Sequence, residues 1–128
     1  MDVDLVSRAQ GCFLGQLAGD SLGSLVEFQT PDRIRRDYPG GVRRLADGGT
    51  WGTIAGQPTD TNAAITGALL GAVYGRNAIP DQWLQRLLNC RPLAGEPHVR
   101  RPRPECFWPI DALQLAERLV SQTKGNAS

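Results

Sequence analysis

With 128 residues, the chain has the size of one small domain and can bury roughly two-thirds of the surface its unfolded form exposes. Apolar residues at 41%, charged residues at 21% and a formal net charge of +1 are ordinary for a water-exposed globular protein and give no electrostatic ground for a nucleic-acid or membrane partner. There is neither a charged-then-apolar leader nor a run near the ~20 apolar residues that cross a bilayer, so the expected location is cytoplasmic.

The first predicted helix runs from about Leu5 to Leu22, with Leu5, Ala9, Cys12, Phe13 and Leu17 at helical spacing and Asp4 as its cap. Glycines at 11, 15, 19 and 23 recur every four residues along it. Each costs a helix about 1 kcal/mol relative to alanine, so the stripe calls for a neighbouring backbone packed closely against it. Thr30 before Pro31 marks a short helix to Asp37, with threonine as cap and proline in the first turn. From Tyr38 to Pro58 the glycines and the Asp47-Gly48-Gly49 turn indicate a long loop leading straight into Thr59 and Asp60, which favours a functional loop.

A further helix, from about Asn62 to Gly75, repeats the glycine pattern at 67, 71 and 75. Because Gly-x-x-Leu-Gly-x-x-x-Gly occurs both at 11 to 19 and at 67 to 75, the two helices are expected to cross glycine stripe to glycine stripe. Each is too short and too interrupted by polar residues for this spacing to serve as a membrane dimerisation face. Pro80 opens a helix carrying Trp83, Leu84, Leu87 and Leu88. Residues 91–104 hold four prolines, four arginines and the one histidine, His98, and read as an extended surface connection. Pro109 opens the last helix, with Ile110, Leu113, Leu115, Ala116, Leu119 and Val120 expected in the core. Fraying is expected from Ser121 on, giving one helical domain over 1–122 and a tail over 123–128. Cys12, Cys90 and Cys106 are odd in number and lack C-x-x-C spacing, so free thiols are expected.

The chemistry concentrates in Gly56-Gln57-Pro58-Thr59-Asp60-Thr61-Asn62. Taken alone, Asp60 or Thr61 is first a helix cap, because Asp and Thr are common caps. The same three residues, Thr59, Asp60 and Thr61, are also hard oxygen donors of the kind Mg2+ or Mn2+ takes in preference to the nitrogen and sulfur donors that suit zinc. Glu27, at the end of the first glycine-rich helix and before Phe28, is a surface acid whose loop could swing toward Asp60.

These segments together resemble the ADP-ribosylglycohydrolase family. Gly11-Cys12-Phe13-Leu14-Gly15, Gly19-Asp20-Ser21-Leu22-Gly23 and Val26-Glu27-Phe28 are similar to that family's opening pattern. Asp47-Gly48-Gly49-Thr50-Trp51 and Gly56-Gln57-Pro58-Thr59-Asp60 resemble the approach to its first metal motif, Thr-Asp-Asp. The stretch from Asp60 to Ala72 resembles its second, Asp-x-Asp-Thr, with the helix that follows, and Phe107-Trp108-Pro109 with Asp111-Ala112 and Ala116-Glu117-Arg118-Leu119 resembles its closing helix. The two metal motifs merge at Thr59-Asp60-Thr61, and the helical middle section between them is missing. Pro58 and Thr61 stand where the family pattern places carboxylates.

The resemblance implies an all-α domain, a reduced form of the family's fold, acting as a magnesium-dependent hydrolase on ADP-ribose attached to a protein side chain or on a related ADP-ribosyl compound. It implies Mg2+ (or Mn2+) on Thr59, Asp60 and Thr61, catalysis by Glu27 and Asp60, and substrate contacts from Trp51, Gly56, Gln57 and Asn62. Asp20 is taken as structural. The alternative is a catalytically inactive remnant that binds ADP-ribose or serves as an oligomeric interaction module. Helices deprived of a covering section would expose apolar faces, so a homodimer is expected, with two Thr59-Asp60-Thr61 clusters and two Glu27 loops brought toward one another.

Overall fold

The computed structural model describes residues 2–47, 61–97, 99 and 102–125, and every structural statement below concerns those residues. They form five α-helices and no strand: α1 (Val3–Ser24), α2 (Pro31–Asp37), α3 (Thr61–Tyr74), α4 (Asp81–Leu88) and α5 (Ala112–Gly125). Single 3-10 turns lie at Arg76–Ala78, Glu105–Phe107 and Pro109–Asp111. The all-α architecture expected from the periodicities is the one observed.

The α1 helix begins earlier than its apolar spacing indicated. Asp2, not Asp4, is the cap: its Oδ1 accepts from the amides of Asp4 and Leu5, each at 3.1 Å. Asp4 lies inside the first turn, where its carboxylate meets Arg8 at 3.0 Å and complements the positive end of the helix. At α2 the cap is the one its sequence specifies, with Thr30 Oγ1 accepting from the Arg33 amide at 3.3 Å and proline in the first turn. Arg36 and Arg33 close on Asp37, and the Arg36 hydrogen bond above all holds the Asp37 carboxyl below its ordinary range.

The glycine stripes do meet. A Cβ on Gly11, Gly15 or Gly19 would strike the carbonyl oxygens of Gly71, Gly67 and Ala63, and one on Gly67 or Gly71 would strike those of Gly15 and Gly11. Backbone therefore lies on backbone along the whole crossing, and the helix propensity lost at these glycines is offset by a contact no larger residue permits. The order of the pairs makes α1 and α3 antiparallel.

Two apolar clusters fill the other side of α1. Leu14, Ile79 and Ala112 form one with Leu17, Trp83, Leu84, Leu88 and Leu113 around them; Ala18, Leu45 and Leu87 form the other, with Leu17, Leu22 and Trp83. Gln10, buried in α1, ties three elements together: its Nε2 donates to the Leu113 carbonyl at 3.3 Å and to Glu117 at 3.0 Å, while its Oε1 accepts from Arg76 at 3.1 Å. Arg76 also donates its amide to Ser7 Oγ at 3.2 Å, just after Gly75 has turned the chain out of α3 with φ +78°.

On α5 the core face differs from the expected one. Ala112, Ala116 and Val120 are buried, Leu113 packs at the margin, and Leu115 and Leu119 are exposed, because α5 presents a single i, i+4, i+8 stripe to α1. The helix also continues through Gly125, past the expected start of fraying. In the connection between α4 and α5, Pro92 is fully buried and its carbonyl accepts from the Arg103 amide at 3.1 Å; Arg91 stacks over Trp108, 5.3 Å from the ring centre. The three cysteines are free thiols.

Candidate functional site

The antiparallel crossing decides which chain segments share an end of the molecule. Gly19 packs on Ala63, the third residue of α3, so the C-terminal turn of α1 lies beside the N-terminus of α3. Glu27 follows within a few residues, in the turn that leaves α1. That turn is built rather than loose. Leu25 is buried, Ser24 Oγ donates to the Ser21 carbonyl at 2.8 Å, and the Gln29 amide donates to the Val26 carbonyl at 3.0 Å across Glu27. Phe28 takes the left-handed conformation at φ +62°, which reverses the chain immediately after Glu27 and costs a non-glycine residue of order 1–3 kcal/mol. Glu27 is half-buried in this turn.

Of the other residues singled out from the sequence, Thr61 opens α3 and Asn62 is exposed in its first turn, at the same end as Glu27. Trp51, Gly56, Gln57, Thr59 and Asp60 lie outside the described residues. Among the described residues there is no group of three or more His, Cys, Asp or Glu side chains that could hold a metal ion.

The sequence reading did not find what holds the approach to that segment. Gln82 on α4 bonds both backbone groups of Leu45, donating to its carbonyl at 2.7 Å and accepting from its amide at 3.0 Å. Trp83 Nε1 donates to the Arg43 carbonyl at 2.8 Å, and Arg86 pairs with Asp47 at 2.8 Å. Three residues of α4, Gln82, Trp83 and Arg86, thus fix the chain over 43–47, in which Leu45 is buried. No local pattern marks Gln82; one glutamine on an amphipathic helix is indistinguishable from a solvated one.

Beside α3 runs an apolar groove of about 650 Å³, with Asn62 and Thr66 toward one end and Tyr74, Ile79 and Trp83 toward the other. No helix of the described residues is long and apolar enough to cross a membrane.

Comparison with known proteins gives one family. The model of the ADP-ribosylglycohydrolase family matches residues 1–60 and again 52–127, two stretches that overlap over 52–60, the approach to Asp60. A candidate ADP-ribosyl glycohydrolase of Acanthamoeba polyphaga mimivirus is 58% identical over 36 residues, 28% of this chain and 11% of that protein. The ADP-ribosyl-[dinitrogen reductase] glycohydrolase of Rhodospirillum rubrum is 46% identical over 54 residues, 41% of this chain and 18% of that protein. The matched segments thus span less than a fifth of either relative. No solved structure matches the chain.

Proposed function

Because the chain belongs to the ADP-ribosylglycohydrolase family, we propose that it hydrolyses the N- or O-glycosidic bond of ADP-ribose attached to a protein side chain, or of a related ADP-ribosyl compound. The observation that carries this reading is the packing of Gly19 on Ala63, which sets the built turn of Glu27 at the end of the molecule where α3 begins.

Breaking a bond at ribose C1 passes through an oxocarbenium-like transition state and needs an oriented water together with proton transfer to or from the reacting groups. Glu27 is the acid/base group in this reading. Its turn is fixed by Leu25 and by the Gln29 amide, so its carboxylate is presented from a defined backbone. Thr59, Asp60 and Thr61 offer one carboxylate and two hydroxyls, an all-oxygen set that fits Mg2+ or Mn2+, since Mg2+ commonly takes one or two carboxylates and keeps several waters. A cation bound there would supply polarisation of water and a hold on the ribose hydroxyls. Asn62 contributes a side-chain amide for sugar or phosphate oxygens, and Trp51, Gly56 and Gln57 belong to the same pocket in this reading. The hydrogen bonds from α4 to the 43–47 stretch hold the polypeptide that leads into them.

Isothermal titration of the chain with Mg2+ and Mn2+ tests the cation part. The parent is expected to bind and Asp60→Ala to lose binding while keeping its helical circular dichroism. No heat from the parent, or equal binding by Asp60→Ala, rules out the cation site.

A further inference from the structure

The face of α3 turned away from α1 is apolar and uncovered. Ile65, Leu69 and Val73, spaced i, i+4, i+8, are 54%, 63% and 59% exposed, and Leu70 and Tyr74 beside them 53% and 69%. From Thr61 to Gly75 there is no charged residue. Along one flank of this ridge lies the groove of about 650 Å³, walled by Leu22, Leu70, Tyr74, Ile79 and Trp83.

We propose that a second copy of this chain covers this face, the α3 ridge of each copy seated in the groove of the other about a two-fold axis. Three features favour that occupant. The five exposed side chains present on the order of 600 Å² of mainly apolar surface, at the upper limit for a patch on a monomer and near the ~800 Å² each partner gives to a standard interface. Ridge and groove lie side by side on one patch, which is what an isologous interface requires, since each copy must offer both the projecting and the receiving part. The absence of charge on α3 removes both a means of selecting a charged partner and the basic residues that would meet lipid headgroups. The proposal stands independently of the chemistry proposed for Glu27.

Sedimentation equilibrium of the 128-residue chain at micromolar to sub-millimolar concentration reads the result directly. The expected mass is twice the 13.9 kDa of one chain. Leu69→Lys, at the centre of the ridge, should weaken dimerisation at least about tenfold with helical circular dichroism unchanged, as buried charges at interface centres do. Leu119→Lys, an exposed leucine on α5, should leave it intact. If Leu69→Lys loses its helicity, Tyr74→Gln takes its place with the same expectation. A parent that stays monomeric throughout, a ridge variant that dimerises as the parent does, or an equal loss in Leu119→Lys would each overturn the proposal.

Discussion

Gln82 and Leu45, 37 residues apart in sequence, exchange two hydrogen bonds through one side-chain amide, the carboxamide standing in for a neighbouring backbone. Through this pair, with Trp83 and Arg86, the short helix α4 anchors the chain over 43–47. Leu45 is fully buried, so its amide and carbonyl have no ready access to water if Gln82 is removed. Gln82→Leu is expected to cost about 1–3 kcal/mol, the penalty of leaving buried polar groups unpaired. Urea denaturation measures it, and an unchanged midpoint would show that the pair contributes nothing. Under the proposed function the same variant should also weaken cation binding, because the approach to Asp60 loses its anchor.

Glycine-to-alanine substitutions should divide by sign. Gly15→Ala places its Cβ against the Gly67 carbonyl, where only helix separation relieves the clash, and is expected to cost roughly 3 kcal/mol or more despite the gain in helix propensity. Gly40→Ala meets nothing within 4 Å and should be neutral or stabilising by up to about 1 kcal/mol. Thermal unfolding of the two variants side by side is the measurement. Equal melting temperatures would mean that α1 and α3 do not lie backbone to backbone.

The pH dependence of α2 has a definite direction. A carboxyl whose folded value is lowered, as Arg36 and then Arg33 lower that of Asp37, stabilises above its unfolded value, and that contribution is lost as pH falls through the folded one. Because the pair is solvent-exposed, the effect belongs to the local helix and is screened by salt. Carboxyl chemical shifts followed through acid titration should place Asp37 below an ordinary aspartate, and Arg36→Ala should move it upward. A midpoint indifferent to Arg36→Ala would contradict the assigned cause.

What the sequence disclosed was local or periodic. The glycine stripes announced the α1 and α3 crossing because no other residue tolerates such contact, and Thr30-Pro31 and Pro80 marked helix starts through backbone chemistry of their own. What it concealed depends on distant partners. Asp2 and Asp4 are equally good caps by type, and only the geometry of the first amides separates them. Leu115 and Leu119 fit the apolar period of α5, yet its neighbour covers the narrower stripe of Ala112, Ala116 and Val120. Gln10 and Gln82 each bond to segments far away in sequence, and neither has a signature within its own helix. For the site, the placement of Glu27 at the α3 end follows from the glycine pairs, and the residues from Trp51 to Asp60 lie outside the described structure.

The most direct test of the proposed function is the release of ADP-ribose from ADP-ribosyl-arginine, with Mg2+ present, by the parent chain and by Glu27→Gln. The amide keeps the shape of the carboxylate and cannot exchange its proton, so general acid/base catalysis by Glu27 predicts turnover in the parent and a loss of about 100-fold or more in the variant, with substrate affinity retained. Turnover by Glu27→Gln equal to that of the parent, or no release by the parent at any Mg2+ concentration, would contradict it.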